Sequence, residues 1–229
     1  MNRRLFVAAV GATGLGATAG CLDRFLASAT TFAASPAVVA DAAADEVGYE
    51  YRGTAETVET ETVAGETVEA TNYGSEYTRT IDASLADLEG ETETETGVFG
   101  VVTTPKVSVA GEDFNPVGHM SRAEIALEVQ HRYDDLAVDD APIGRRTVET
   151  LGTAITVDTF EGTATFGEYD DVDVYLDVSQ PDHGDDHLVV VAIYPDARGF
   201  DRASEVERID TLIRGLEHGD DVDVDIREA

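Results

Sequence analysis

Leu188-Val189-Val190-Val191-Ala192-Ile193-Tyr194 is the most hydrophobic stretch of the chain beyond its N-terminal segment, and its reading decides the fold. A short, uninterrupted apolar run fits a strand covered on both faces, which places it at the centre of a sheet. Upstream, Thr147–Leu151, Ile155–Thr165 and Val172–Val178 are further strand candidates, and together they make a β-rich block. Downstream, Asp201 to Glu217 carries Val206, Ile209, Leu212, Ile213 and Leu216 at helical spacing, which predicts an amphipathic helix.

The first half divides the same way. Ser35-Pro36 offers a capping hydroxyl and a proline for the first helical position, predicting a short helix to about Val47. Between Tyr49 and Asp82 the pattern predicts strands at Thr54–Thr60, Thr67–Thr71 and Ser75–Ile81, with Gly65 marking a turn. Glu89–Glu95 reads as an acidic low-complexity loop. Val98–Thr104, ending at Pro105, fits an interior strand or a buried helical segment, which periodicity alone does not separate. Ser121 and Glu124 form a capping box opening a helix to about Leu136, with Ile125, Val129, Tyr133 and Leu136 on its buried face. The stretch from Thr103 to Ser121, which includes Phe114-Asn115-Pro116-Val117-Gly118-His119-Met120, reads as a rigid connection that orients this helix, with a binding loop as the alternative. Strands and helices in segregated blocks predict an α+β fold: a mainly antiparallel β-sheet covered by a few helices, in a single domain over residues 35–218. Residues 219–229 read as an acidic tail.

The chain has 229 residues, with 15 Lys plus Arg against 47 Asp plus Glu, a formal net charge of -32. Such a charge repels a phosphate backbone and excludes an electrostatic nucleic-acid binder. At 42% hydrophobic residues the chain is too apolar for a disordered acidic polymer. A polytopic membrane protein is excluded as well, because the one long apolar stretch lies at the N-terminus. The acids are spread along the whole sequence and interleaved with apolar residues, and Lys106 is the only lysine. Short, strongly hydrated carboxylates in place of long apolar lysine stems suit a protein built for brine. There, at about 1 M salt, a Debye length of about 3 Å screens surface repulsion.

Residues 1–21, MNRRLFVAAVGATGLGATAGC, carry Arg3 and Arg4 ahead of a short, moderately apolar run and small residues before Cys21. That is the pattern of a twin-arginine signal peptide over residues 1–20. Its small residues lead into what looks like a lipobox, with Thr18 where many lipoboxes carry leucine. The resemblance to prokaryotic lipoproteins implies that Cys21, the only cysteine, becomes the lipidated first residue, followed by a tether over residues 21–34. Cleavage there removes two arginines and leaves 13 cations against 47 acids, a net charge of -34 over 209 residues. The expected location is the outer face of the cytoplasmic membrane, with the lipid on Cys21 as the membrane contact. A single acyl chain holds only marginally, so a stable anchor implies two chains or a retained signal helix.

Motifs for chemistry are sparse. Gly14-Leu15-Gly16-Ala17-Thr18-Ala19 matches a dinucleotide-binding spacing but lies in the signal segment, without the strand and acidic partner that motif needs. Asp221-Val222-Asp223-Val224-Asp225 begins like a calcium loop, yet Ile226 stands at the sixth position and the chain ends before the twelfth. No GxSxG elbow is present, and a blue-copper site lacks its cysteine. His183-Gly184-Asp185-Asp186-His187 is the one candidate: two histidines four apart with carboxylates between, a weak metal site if His183, Asp185, Asp186 and His187 converge. Pro181 and Gly184 instead predict a hairpin turn with its tip in solvent. His119, His131 and His218 have no partner nearby in sequence.

Taken together, several pieces resemble a haloarchaeal family of twin-arginine-exported lipoproteins carrying a domain of unknown function. They are the lipoprotein start, Ser35-Pro36-Ala37-Val38-Val39, Phe114-Asn115-Pro116-Val117-Gly118 with Met120-Ser121, Asp173-Val174-Tyr175-Leu176, His183-Gly184-Asp185-Asp186 and Tyr194-Pro195. The resemblance implies the compartment and the host type and supplies no catalytic residues and no cofactor. More loosely, strands from about residue 147 to 194 followed by a terminal helix look like the small exported α+β proteins of the PsbP and Mog1 type, which mostly bind partners. The expectation is a non-enzymatic surface lipoprotein that binds an unknown protein or small molecule. The alternative is an exported hydrolase or metal-dependent enzyme using His183, His187 and neighbouring carboxylates.

Overall fold

Leu188–Tyr194 forms the middle of a ten-residue strand in which every residue is buried. A computed structural model describes residues 30–63, 66–82, 93–109, 112–113, 115–133, 136–166, 169–196 and 200–227. Arg3, Arg4 and Cys21 lie outside the described residues. In chain order the strands are β1 (Thr30–Ala33), β2 (Ala37–Val39), β3 (Glu50–Val63), β4 (Glu66–Asp82), β5 (Glu93–Pro105), β6 (Ser108–Val109) and β7 (Glu112–Asp113). They continue with β8 (Leu136–Val138), β9 (Gly144–Thr150), β10 (Thr153–Phe166), β11 (Tyr169–Ser179), β12 (Asp182–His183), β13 (Asp186–Pro195), β14 (Leu216–His218) and β15 (Ile226–Arg227). The helices are α1 (Asp41–Val47), α2 (Arg122–Arg132) and α3 (Arg202–Arg214).

The main sheet runs β15-β3-β4-β5-β13-β11-β10-β8, with β1, β9 and β12 attached beside β4, β10 and β13. The spine from β3 through β8 is antiparallel throughout, and only the short β1 and β15 pair in parallel, with β4 and β3. This is the expected α+β architecture in one domain, with β13 central. Side chains alternate along a strand. Leu188, Val190, Ala192 and Tyr194 therefore pack with Phe99 and Tyr175 beneath Ile209, Leu212 and Ile213 of α3. Val189, Val191 and Ile193 pack on the opposite face with Phe160 and Leu176 beneath Ile125, Ala126 and Val129 of α2.

Local details depart from the sequence reading. Ser35-Pro36 does not open a helix: Ala37–Val39 is a strand paired antiparallel with β14, and the Val39 N–H donates to the Tyr77 hydroxyl at 2.8 Å. Tertiary pairing of two β-branched residues overrides the capping signal. Helix α1 starts later, without a side-chain cap, and ends at Gly48 with φ +74. The strands expected at 67–71 and 75–81 are one continuous strand, β4. The capping box at Ser121 and Glu124 is present, but α2 stops at Arg132 because Leu136 joins β8, opposite Ala164. The segment read as tether ends in a strand, β1, and the segment read as tail contributes β15, paired with Thr54 and Ala55.

Arginines fasten the helices to the sheet. Arg146 on β9 reaches Asp210 of α3 and Asp177 of β11, each at 2.8 Å, and Asp177 also accepts from Thr159 at 2.6 Å and Tyr194 at 3.2 Å. Burial works against the charge on Arg146, but the hydrogen bonds and charges of Asp177 and Asp210 outweigh it and raise its pKa further. Arg79 of β4 pairs with Glu205 of α3. Asp158 on β10 takes Arg145 at 2.6 Å and Arg122 of α2 at 2.7 Å. Burial pushes the Asp158 carboxyl up, yet hydrogen bonds and charge from Arg145 and Arg122 prevail and hold it below the usual carboxylate range. A depressed carboxylate contributes stability that is present above its unfolded value of about 4 and is lost as pH falls through the lower folded value. Asp158→Asn is expected to flatten the loss of stability below about pH 4, measured as urea midpoints across the acid range at constant high salt; an unchanged acid slope would count against this assignment.

Candidate functional site

Gly184, with φ +58, makes the tight turn between β12 and β13. The register sets Asp182 opposite His187 and His183 opposite Asp186. Because neighbours along a strand point to opposite faces, His183 and Asp186 share one face while Asp182 and His187 share the other. His183 and His187 therefore do not converge, and Asp185 is exposed in the turn. The four residues proposed as a weak metal site are separated by strand geometry. Among the described residues no group of three or more His, Cys, Asp or Glu is arranged to hold a metal ion.

On the first face the hairpin meets β14. His183 Nδ1 lies 2.7 Å from His218 Nδ1, with the rings edge-to-face at a centroid distance of 5.0 Å. His218 Nε2 is 3.0 Å from Asp186 Oδ2, and both side chains are almost fully buried, at 4% and 5% exposure. The same Asp186 oxygen accepts the backbone N–H of Ser35 at 2.9 Å. The Ser35 hydroxyl donates to Asp220 at 2.6 Å, and the Gly219 N–H donates to the Pro36 carbonyl at 3.3 Å. Ser35 is thus held at both its amide and its hydroxyl, and the hydroxyl is bonded to a carboxylate, not to an imidazole.

On the second face His187 Nδ1 is 2.7 Å from Asp182 Oδ1, while the Nε2 of His187 is buried without a hydrogen-bond partner. Lys106 adds an ammonium 3.5 Å from Asp182 Oδ2 and donates to the Gly184 carbonyl at 2.9 Å. Burial pushes the Asp182 carboxyl up, but the hydrogen bond and charge of His187, with the charge of Lys106, hold it below the usual range. In the described part of the connection before α2, one side chain ties the turn together. Buried Asn115 accepts from the Val117 N–H at 2.9 Å and donates to Thr104 at 2.8 Å and to the Pro105 carbonyl at 2.6 Å.

Chemically, the first face is a string of carboxylate, imidazole and imidazole. It can orient a ring and hold a proton between two Nδ1 atoms. A carboxylate-oriented imidazole normally serves catalysis by presenting its free nitrogen to a hydroxyl, thiol or water; here that nitrogen faces His183. Sequence reading missed His218, Ser35 and Asp220 as members of this cluster. No local signal marks them, since His218 is 35 positions from His183 and Ser35 is 151 from Asp186.

Residues 36–217 match a family described as a domain of unknown function (DUF6517). The chain belongs to that family. The DUF6517 span takes in the hairpin, α3 and the first two residues of β14, ending just before His218. No curated protein matches the chain. Among solved structures, the solution structure of cyanobacterial PsbP (CyanoP) from Synechocystis sp. PCC 6803 is similar, at 12% identity over 82% of this chain and 94% of that one, with a TM-score of 0.32.

Asp186→Ala strands two donors, the buried His218 Nε2–H and the part-buried Ser35 amide, and is expected to cost about 1–3 kcal/mol. Asp185→Ala, one position away in the exposed turn, is expected to stay within about 0.5 kcal/mol of the parent. Chemical denaturation in molar salt compares the two; equal effects would show that the cluster does not bear on stability.

Proposed function

We propose that this DUF6517 protein is a non-catalytic binding module of an extreme halophile, exported through Arg3 and Arg4 and held by lipid on Cys21 at the outer face of the cytoplasmic membrane. One observation carries the reading: the polar cluster that most resembles an active site is closed on the chain's own N-terminal lead. Asp186 grips the Ser35 amide, Asp220 takes its hydroxyl, and the oriented imidazole ends on a second imidazole, not on a hydroxyl, among the described residues. Nine residue steps separate Cys21 from Thr30, where β1 begins, and extended chain spans at most about 3.3–3.6 Å per residue. The lipid and the folded body would then stand within about 30 Å of each other. The enzyme alternative built on His183 and His187 has less support, because the two rings lie on opposite faces of the hairpin.

The halophilic part of the proposal rests on where the cations go. Arg79, Arg122, Arg145, Arg146, Arg208 and Arg214 all carry ion pairs, most of them with buried carboxylates, and Arg202 stacks on the Tyr175 ring at 4.1 Å. With 47 acids against 15 cations in all, the exposed carboxylates rely on solvent ions for screening.

Two outcomes are expected. Cys21→Ser should move the protein from the membrane to the soluble fraction or block its maturation; unchanged fractionation would argue against lipidation. Circular dichroism should show loss of secondary structure on dilution from molar to millimolar salt, and a spectrum indifferent to that dilution would remove the halophilic assignment.

A further inference from the structure

Strand β1 enters the sheet from one end only. It runs parallel to β4, with Thr30 opposite Val68 and Ala33 opposite Thr71, so the chain before Thr30 comes from the side of the β3–β4 turn. That turn closes between Val63 and Glu66, just before Val68. The strand is fixed there: Phe32 packs with Val68, Ala70 and Val107, and the Ala34 N–H donates to the Thr71 carbonyl at 3.0 Å. On the turn side of Tyr73, where the pairing with β5 ends, only β3 and β1 pair with β4 among the described residues. The hairpin thus projects past its β5 neighbour as a three-stranded ribbon, and the N-terminal lead leaves the body near the ribbon's tip.

We propose that the tip of the β3–β4 hairpin is the end that this protein turns to the lipid surface, with the opposite end of the sheet, at Asp82 and Glu93, held away from it. The orientation rests on the anchoring at Cys21 proposed above and follows from two lengths. From Cys21 to Thr30 there are nine residue steps, which reach at most about 30 Å in any conformation. From Val68 to Asp82 there are 14 steps along β4, about 46 Å at the rise of a strand. Standing the body on its Asp82 end would lift Thr30 about 46 Å off the surface, beyond the reach of the tether. That end meets the bilayer only if β4 leans more than about 50° from the membrane normal. Hydration opposes such a lean. Laid on its side, the body brings exposed carboxylates to the headgroups, among them Glu56 and Glu61 on β3, Glu124 on α2 and Glu207 on α3. An ionised carboxylate gives up its water at high cost. The hairpin turn instead reads Thr62-Val63-Ala64-Gly65, an uncharged run between Glu61 and Glu66. The acid-rich run from Glu89 to Glu95 belongs to the opposite end, between β4 and the start of β5.

The test places a fluorescent donor on one introduced cysteine at a time: Thr62→Cys near the tip, Val58→Cys further along β3, and Thr80→Cys toward the far end, all at exposed positions. The full lipidated chain is reconstituted in molar salt into vesicles of phosphatidylcholine and phosphatidylglycerol that carry an acceptor dye on their headgroups. By the β3–β4 register Thr62 lies opposite Thr67, so residues 62 and 80 stand 13 strand steps, about 43 Å, apart. Energy transfer should be several-fold stronger at residue 62 than at residue 80, with residue 58 between them. Equal transfer at 62 and 80, or stronger transfer at 80, in a chain that floats with the vesicles overturns the orientation and leaves the anchor standing. A parent chain whose Cys21 takes the dye, or that stays behind when the vesicles float, removes the anchor and the orientation with it. Should one variant fail to fold, the difference between the other two decides.

Discussion

The burial of β13 on both faces is the constraint from which the rest of the structure follows. Its apolar positions from Leu188 to Ile193 cannot face water on either side, so α3 must cover one face and α2 the other. Each fully buried aliphatic side chain contributes about 1.5–3 kcal/mol relative to exposure. The same burial extends to the first residues of the strand, Asp186 and His187, which are as enclosed as the valines that follow them. A buried polar group without a partner is costly. Asp186 meets that demand with His218 and the Ser35 amide, and His187 meets half of it with Asp182. The histidine cluster is in this sense a consequence of where a hydrophobic strand begins.

A second constraint is the shortage of cations. With 15 against 47 acids, a positive charge has the most effect where solvent ions cannot replace it. That is the interior, where screening by salt is weak. Arg146, 19% exposed, joins α3 to two strands, and Arg122 joins α2 to Asp158. The planar guanidinium reaches two carboxylates at once with fixed geometry, which a lysine ammonium does not. This accounts for a sequence that has almost dispensed with lysine while keeping its arginines. Arg79, Arg122 and Arg146 are structural members of the helix–sheet interfaces, and the exposed acids are left to water and dissolved ions.

These two constraints also explain what was legible in the sequence. The central strand, the sheet around it, α2 with its capping box and the amphipathic α3 were readable because each is specified by its own residues: β-branched runs, Ser121 with Glu124, and apolar positions at helical spacing. The start of α1 was misread at Ser35-Pro36 because the signal there was local while the deciding contact, with Leu216–His218, lies at the other end of the domain. The turn at Gly184 was readable, and with it the hairpin. The burial of its histidines was not, since nothing in His183–His187 announces that β14 will cover one side. Nor does composition reveal which of 47 acids face inward. Asp158, Asp177, Asp186 and Asp210 are distinguished only by the arginine or histidine that the fold brings to them.

The acids also settle a problem that the fold creates. An open sheet exposes unsatisfied edges that invite other chains to pair. The long β3–β4 hairpin is the largest such feature, and its outer strand meets the short β15 only at Thr54 and Ala55. Beyond that point β3 carries Glu56, Glu59 and Glu61, with the exposed Val58 set among them at 58% exposure. Concentrated salt screens these charges at a distance but does not remove the cost of dehydrating a carboxylate, which a docking strand would have to meet at each one. Hydration of the surface and protection of the sheet edge are thus served by the same residues. A carboxylate-rich edge of this kind is one of the devices by which an open antiparallel sheet discourages pairing with another chain.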